Sequence, residues 1–269
     1  MRLKDKVIIV TGSTTGIGKA IALRCVAEGA RVVIHGLEQD LGNEVLSEIK
    51  ATGLTAQSGL TGINCVLHIG DIASKDAPQN LVDAALRSFG KIDAVVNNAA
   101  AVISSNIETT DLLLLRKILE VNTIAPFALI KAALPSLKKT KGCVLNIGSV
   151  NAWSGEPNLL AYSISKGALM TLTRNLGDTL HREAGVRVNQ VNPGWVLTET
   201  EIKRKKVQGL PEDWFKQINN VYAPAGRILS PAEIAAAVLF WISDECGPVS
   251  GQVVDLEQYP MLGRNPPKL

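Results

Sequence analysis

The chain of 269 residues is 46% hydrophobic and 20% charged, which provides enough apolar residues for a large buried core and excludes a disordered protein. Its 28 basic and 25 acidic residues give a net charge of +3. That balance is too even to indicate a nucleic-acid or membrane surface as the main partner, so we expect neither.

The sequence carries no sign of secretion, membrane insertion or metal binding. The first apolar run, Val7–Val10, is too short for the core of a signal peptide, and the longest, at 234–242, falls well short of the ~18 residues of a membrane span. We therefore expect a cytoplasmic protein. The 4 cysteines are far apart and lack zinc-binding or redox spacing, so we expect reduced thiols and no metal site.

Short runs rich in Val and Ile alternate with longer segments of helical period, a pattern typical of parallel βαβ units. The predicted strands are at 6–11, 31–35, 64–69, 92–97, 143–147, 186–191 and 252–255. The predicted helices are at 18–28, 41–51, 78–89, 112–139, 160–183 and 231–243. The alternation predicts a doubly wound α/β (Rossmann) fold, a parallel seven-stranded sheet with helices on both faces, in a single domain over 1–269. Two segments exceed this pattern: 52–62, to which we assign no role, and a basic excursion at 199–227.

A glycine-rich turn follows the first predicted strand and opens the first predicted helix. Residues 11–18 read Thr-Gly-Ser-Thr-Thr-Gly-Ile-Gly, with glycines at 12, 16 and 18. Glycines allow a close approach to a pyrophosphate, and a helix N-terminus offers free N–H groups. The spacing differs from Gly-x-Gly-x-x-Gly, and a turn that merely caps a helix is the alternative. The strand, turn and helix in succession favour nucleotide binding.

Tyr162, Lys166 and Ser149 form a candidate catalytic set. Tyr162 and Lys166 are four residues apart in a predicted helix and so share one face, while Ser149 leaves the carboxyl end of the fifth strand. The pKa of a phenol, ~10, would have to fall by about 3 units for proton exchange near neutral pH, and a cation about 4 Å away supplies energy of that order. We therefore expect Lys166 to lower the pKa of Tyr162. An isolated Tyr-x3-Lys pair is more often plain helix surface, but its combination with Ser149 and a nucleotide turn favours catalysis.

The order of these motifs resembles that of the short-chain dehydrogenase/reductase family, in its single-domain branch and near its 3-oxoacyl-carrier-protein reductase-like members. The resemblance covers nearly the whole chain. Besides the turn and the catalytic set, the matching positions are Asp71-Ile72, Asn97-Asn98-Ala99-Ala100, Asn122, and Pro193-Gly194 with Thr198. Ala100 stands where the family more often has glycine.

The resemblance implies hydride transfer between NAD(P)(H) and a ketone or secondary alcohol. Tyr162 would exchange the proton, Ser149 would orient the substrate oxygen, Lys166 would tune the tyrosine and hold the nicotinamide ribose, and Asn122 would support a water. A homodimer or homotetramer is implied as well. The implied cofactor contacts are Gly12, Thr14, Thr15, Gly16, Ile17, Gly18, His35, Gly36, Leu37, Asp71, Ile72, Asn98, Ala99, Ala100, Tyr162, Lys166, Pro193, Gly194, Val196 and Thr198.

The signals that distinguish NAD from NADP are both missing from the end of the second strand. Gly36 replaces the usual acidic residue and Leu37 replaces the arginine found in many NADP-dependent relatives. Because no carboxylate repels a phosphate and Gly36 leaves room for it, we expect NADP(H), with NAD(H) as the alternative. His35 is either a plain strand-end residue or a contact to the adenosine ribose or phosphate.

Three tryptophans suggest an apolar substrate pocket around Ser149 and Tyr162. They are Trp153, Trp195 and Trp214, with loop anchoring as the alternative reading. The basic run at 203–206 predicts either a solvated surface, which we prefer, or a site for an acidic carrier. For the whole chain, the alternative to an enzyme is a nucleotide-binding sensor of the same fold without turnover.

Overall fold

The computed structural model describes residues 1–51 and 64–260, so the extension at 52–62 lies outside the described residues. Within them, one all-parallel sheet of 7 strands has the order β3-β2-β1-β4-β5-β6-β7. The strands are β1 at Val7–Val10, β2 at Arg31–Gly36, β3 at Cys65–Ile69, β4 at Ala94–Asn97, β5 at Cys143–Ile147, β6 at Arg187–Pro193 and β7 at Val253–Leu256. The doubly wound fold predicted from the sequence is confirmed.

Helices connect the strands and cover both faces of the sheet. They are α1 at Gly16–Ala27, α2 at Gln39–Ala51, α3 at Ala77–Phe89, α4 at Leu112–Leu119, α5 at Ala125–Thr140, α6 at Asn151–Ser154, α7 at Leu160–Ala184, α8 at Glu199–Val207 and α9 at Pro231–Ile242. The short helices α6 and α8 are missing from the sequence prediction because neither shows an amphipathic repeat long enough to detect.

Two apolar clusters hold the sheet between its helical layers. Ile21 of α1 and Ile234 of α9 belong to the cluster on one face, and Leu81 of α3 and Leu129 of α5 belong to the cluster on the other. All 4 residues of β1 are buried. Since burial of each large aliphatic side chain contributes about 1.5–3 kcal/mol, the strands form a rigid frame for the loops at their ends.

The strand order reverses between β1 and β4, which pair side by side with Val10 opposite Val96. At such a switch point the loops that leave the carboxyl ends of adjacent strands diverge and open a crevice. The segments after β1, β4, β5 and β6 all leave this edge of the sheet. The fold therefore collects the glycine-rich turn and Ser149 at one place.

The segment predicted as a single helix at 112–139 contains a π-helical turn at Glu120–Ile124 between α4 and α5. A π turn accommodates an additional residue without ending the helix, so apolar periodicity does not reveal it. Asn122 lies in this turn and is 1% exposed. Such turns occur often at functional sites, so the position of Asn122 favours a functional role for this residue.

Two further expectations concern the chain as a whole. Cys25, Cys65, Cys143 and Cys246 are free thiols, as expected. Among the described residues, no helix has the length and apolar character needed to cross a bilayer.

Candidate active site

A cavity of about 580 Å³ opens at the switch point of the sheet. Its walls come from the segments after β1, β4, β5 and β6, together with α7 and α8. The residues expected from the sequence that line it are Ile17, Asn98, Ala100, Ser149, Tyr162, Lys166, Pro193, Gly194, Trp195, Val196 and Thr198. The fold thus brings the candidate catalytic set and much of the implied cofactor set to one cavity.

Tyr162 and Lys166 lie on the cavity-facing side of α7. The Lys166 Nζ is 5.6 Å from the centroid of the Tyr162 ring and donates a hydrogen bond to the Ile147 carbonyl oxygen at 2.7 Å. Lys166 is 2% exposed, and Ser149 is 8% exposed. The i, i+4 spacing therefore places both side chains on one face, but the ammonium is bonded to β5 and not to the phenol.

The pKa of Tyr162 differs from the expectation. Burial raises the pKa of the phenol to about 12, while a hydrogen bond with Ser149 and the positive charge of Arg204 act in the opposite direction. Burial also lowers the pKa of Lys166 to about 8. The expected lowering of the tyrosine pKa by Lys166 is therefore not found in this structure, because burial of the phenol exceeds the opposing effects of Ser149 and Arg204.

The turn that carries Ser149 is held from below by Asn192. The Ser149 backbone N–H donates to Asn192 Oδ1 at 3.1 Å, and the Gln190 amide donates to the same oxygen at 2.7 Å. An added Cβ on Gly148 would overlap the Asn192 Oδ1, so only glycine fits there. The position of Ser149 thus depends on polar side chains that project from β6.

Asn192 belongs to a chain of polar side chains beneath the site. Sequence reasoning missed this chain because its members are far apart in the sequence and meet only across the sheet. Each hydrogen bond measures 2.7–3.0 Å, and the order of the side chains is Asn97, Asn146, Thr173, Gln190, Asn192, Asp255 and Trp153. A buried polar network whose members are satisfied fixes side-chain positions, so this chain rigidifies the floor of the cavity.

Asn122 lies behind the cavity and is absent from its lining as described. Its Oδ1 accepts from the Ala101 N–H at 2.8 Å, and its Nδ2 donates to the Ala101 carbonyl oxygen at 3.0 Å and to the Ser165 Oγ at 2.9 Å. These bonds tie the segment after β4 to α7. The support of a water by Asn122 stays a prediction.

The glycine-rich turn has the shape of a phosphate cradle. Gly12 and Gly16 have φ values of +61° and +52°, which favour glycine. An added Cβ on Gly12 would lie 2.8 Å from the Ala99 Cα. Thr15 at the N-cap of α1 makes no side-chain cap bond, and the first turn holds no acidic residue. The first N–H groups of α1 thus remain available to an anion, and these features fit a pyrophosphate.

His35 lies at the end of β2, as the strand-end reading expected, and its ring is enclosed. It is 2% exposed, and its Nδ1 accepts from the Gly12 N–H at 3.2 Å, so its Nε2 carries the proton that bonds the Gly70 carbonyl oxygen at 3.0 Å. Both ring nitrogens are therefore bonded to backbone groups, and a contact of His35 with the cofactor stays a prediction. His35 joins the glycine-rich turn to the end of β3.

The burial of His35 predicts a pH-dependent stability. Burial lowers the pKa of His35 from 6.5 to about 4, so below pH ~6.5 the unfolded chain binds a proton that the folded chain does not. The stabilisation is complete above pH ~6.5 and is lost toward pH 4, by about 3 kcal/mol in total. Urea unfolding of wild type and His35→Asn from pH 7 to 4 should show a shallower pH slope for the variant. The more exposed neighbour His68 provides the control His68→Asn; equal slopes in wild type and His35→Asn would refute the assignment.

The Thr14 side chain packs against Gly36. It occupies the space next to Gly36 that was expected to be free for a phosphate. An added Cβ on Gly36 would overlap the Thr14 hydroxyl and methyl. Leu37 is 69% exposed. The space for a phosphate therefore lies beyond the Thr14 hydroxyl, a possible donor, and not directly on Gly36.

Other implied cofactor contacts lie around this end of the sheet. Exposed Asp71 accepts from the Ala73 N–H at 2.9 Å, and Ile72 is buried in the core. The Ala99 N–H donates to Thr11 Oγ1 at 3.0 Å, as does the Asn98 N–H. These residues therefore lie together at the edge of the sheet beside the glycine-rich turn.

Only one of the three tryptophans lines the cavity in the described chain, so the expected pocket is corrected at two positions. Trp195 lines it and stacks on Trp214 with ring centroids 5.1 Å apart. Trp214 is buried behind it with Ala223, as a loop anchor. Trp153 donates to Asp255 at 3.0 Å and lies under the guanidinium of Arg174.

The basic run at 203–206 lies on α8 and is divided between cavity and solvent. Arg204 and Lys205 line the cavity, Lys206 pairs with Glu212, and Lys203 is exposed. The preferred reading of a solvated surface is thus wrong for two of the four residues. Charge patterning could not reveal this, because the orientation of α8 depends on its contacts with Trp195.

The strand order and the cavity at its switch point define a doubly wound fold of the nucleotide-binding type. A family model described as enoyl-(acyl carrier protein) reductase matches residues 12–257. An uncharacterized oxidoreductase of Thermotoga maritima is 35% identical over 96% of this chain and 98% of its own. An NADP-dependent (R)-specific alcohol dehydrogenase of Lentilactobacillus kefiri is 34% identical over 91% of this chain and 92% of its own.

Among solved structures, L-sorbose reductase from Gluconobacter frateurii, complexed with NADPH and L-sorbose, superposes with a TM-score of 0.88. It is 25% identical, and the match covers 98% of this chain and 100% of that one. The chain belongs to the short-chain dehydrogenase/reductase family of oxidoreductases. The resemblance drawn from the motifs is therefore confirmed at the level of the family.

Proposed function

We propose that this protein is an NAD(P)(H)-dependent oxidoreductase that interconverts a ketone and a secondary alcohol. The observation that carries the proposal is the meeting of Ser149, Tyr162 and Lys166 in a cavity next to the glycine-rich turn. The named relatives include an alcohol dehydrogenase and a sugar reductase, which supports a small alcohol or carbonyl substrate.

The proposed roles follow from the positions of these side chains. A nicotinamide cofactor would supply the hydride to the carbonyl carbon, or accept it from the alcohol. Tyr162 gives its proton to the carbonyl oxygen during reduction and takes one from the alcohol during oxidation, so the atoms balance in both directions. Ser149 donates a hydrogen bond to that oxygen. Lys166 keeps a positive charge beside the phenol below its pKa of about 8.

The proposal is tested by the absorbance of reduced nicotinamide in the presence of ketones and secondary alcohols. We expect turnover with at least one of these substrate classes. Cofactor binding without turnover of any of them would favour the alternative, a nucleotide-binding sensor of the same fold.

We propose NADP(H) as the preferred cofactor. Position 36 carries glycine and therefore no carboxylate that would repel a phosphate. The Thr14 hydroxyl beside it can donate to a phosphate oxygen. A relative is NADP-dependent and a similar solved structure holds NADPH, which supports the same choice. Parallel fluorescence titrations should give an affinity about 2- to 10-fold higher for NADPH, the contribution of one hydrogen bond. Tighter binding of NADH would contradict the assignment.

We infer a cytoplasmic homotetramer or homodimer. Large apolar side chains remain exposed on α4, the π turn, α5 and α7, including Leu112 at 68%, Leu113 at 76% and Phe127 at 45%. Clustered exposed apolar residues of this kind mark subunit interfaces. Light scattering should give a multiple of 28.7 kDa for wild type and a smaller particle for Leu113→Asp. Leu86→Asp on α3 is the control; a wild-type monomer would contradict the inference.

A further inference from the structure

The outer wall of the cavity carries charged side chains of both signs. Glu156, Glu201 and Glu257 supply carboxylates, and Arg204 and Lys205 supply cations. An apolar substrate would desolvate these groups without replacing their hydrogen bonds, which is costly. The expectation of an apolar substrate therefore does not fit this wall.

Arg204 is held in place on α8 and retains donor capacity. Its Nε and Nη2 donate to the Glu201 carboxylate at 2.8 and 2.9 Å, and the Trp195 indole N–H donates to the same carboxylate at 2.9 Å. Among the described residues, nothing accepts from the Arg204 Nη1. Arg204 and Tyr162 line the same cavity, and the positive charge of Arg204 acts to lower the pKa of the phenol.

Glu257 supplies acceptors on the neighbouring wall. Its carboxylate lies against Gly194, where an added Cβ would overlap it. The Oε2 accepts from the Trp195 N–H at 3.0 Å and the Oε1 accepts from the Gln258 N–H at 2.8 Å. An ionised carboxylate has about four lone-pair positions, so each oxygen keeps acceptor capacity toward the cavity.

We propose that the cavity takes a neutral polyhydroxylated ketone, or the corresponding polyol, and that Arg204 and Glu257 bind the hydroxyl groups beyond the reacting carbon. A hydroxyl both donates and accepts, so it satisfies the guanidinium and the carboxylate alike. With Lys166 included, the cavity lining has three carboxylates and three cations. A charged substrate would therefore gain attraction from one set and meet repulsion from the other. This inference rests on the proposed oxidoreductase function and adds the substrate class.

Substrates matched in carbon number test the inference with the wild-type protein and reduced nicotinamide. The four-carbon set is L-erythrulose, 2-butanone and acetoacetate, and the six-carbon set is L-sorbose, 2-hexanone and 5-oxohexanoate. A site built to bind hydroxyls discriminates strongly against analogues that lack them, so we expect kcat/KM for a hydroxylated ketone to exceed its alkyl counterpart by at least about 100-fold. Equal or greater kcat/KM for the alkyl ketone or the oxo acid overturns the inference and leaves the proposed function intact. Turnover of none of these ketones would overturn both.

Variants assign the specificity to the two side chains. Arg204→Leu and Glu257→Gln should each raise KM for the hydroxylated ketone by about 10- to 100-fold, the loss of a charge-assisted hydrogen bond, and the loss of kcat/KM for 2-hexanone should be at least about tenfold smaller than the loss for the hydroxylated ketone. Lys203→Leu, an exposed position on the same helix, should change neither. Since Arg204→Leu leaves Glu201 without its partner, Glu257→Gln provides the independent measurement. Equal losses on both substrates would mean a structural role and would overturn the assignment.

Discussion

Tyr162→Phe is expected to lower kcat by about 10²- to 10⁴-fold, the usual contribution of a positioned proton donor. Tyr162 lines the cavity, and its phenol interacts with both Ser149 and Arg204. The variant keeps the ring and removes only the hydroxyl proposed to exchange the proton. Cofactor affinity should therefore change by less than about threefold, because the glycine-rich turn is untouched.

The measurement for Tyr162→Phe combines steady-state kinetics with a fluorescence titration of the cofactor. Tyr222→Phe makes the same chemical change at a residue of the cavity wall that is 58% exposed, and its loss should be at least about tenfold smaller. A Tyr162→Phe protein that retains wild-type kcat would exclude Tyr162 as the proton donor.

Gly18→Ala is expected to destabilise the protein by about 3 kcal/mol or more and to abolish cofactor binding. Alanine in a helix normally stabilises relative to glycine by about 0.5–1 kcal/mol. Here the new Cβ would overlap the Gly12 carbonyl oxygen and the Asn98 amide. Since that amide also donates to the Thr11 and Gly12 carbonyl oxygens at 2.9 and 3.0 Å, neither group can move without opening the turn.

Gly167→Ala is the matched control for Gly18→Ala. Gly167 also lies in a helix, and its added Cβ would have the Ala152 carbonyl oxygen 3.6 Å away, an ordinary contact. It should therefore stabilise the protein by about 0.5–1 kcal/mol in urea unfolding. Equal stability of the two variants would contradict the overlap of an added Cβ at Gly18 with the Gly12 carbonyl oxygen and the Asn98 amide.

The parallel sheet and its helices were predictable because buried parallel strands and amphipathic helices have strong local patterns. The glycine-rich turn and the Tyr162–Lys166 spacing were predictable for the same reason, since each lies within one element. The direction of the Tyr162 pKa was not, because it depends mainly on the burial of the phenol. Burial of that kind is set by tertiary structure alone.

The cavity wall was beyond local reasoning for a similar reason. Arg204 belongs to a charge run that is usually solvated, and only its bond to Glu201, itself held by Trp195, turns it toward the cavity. From the sequence, His35 was either a plain strand-end residue or a cofactor contact. In the structure its ring nitrogens are bonded to backbone groups of Gly12 and Gly70. In each case the missing information was the partner across the fold.

We propose that hydride passes between a nicotinamide and a carbonyl carbon in the cavity that holds Ser149, Tyr162 and Lys166. The most direct test is turnover of L-sorbose or 2-hexanone with reduced nicotinamide that carries deuterium at the transferable position, followed by mass spectrometry and NMR of the product. We predict a secondary alcohol with the deuterium on its carbinol carbon, formed by the wild type and almost absent with Tyr162→Phe. A product without deuterium at that carbon, or equal labelled product from both proteins, would contradict the account.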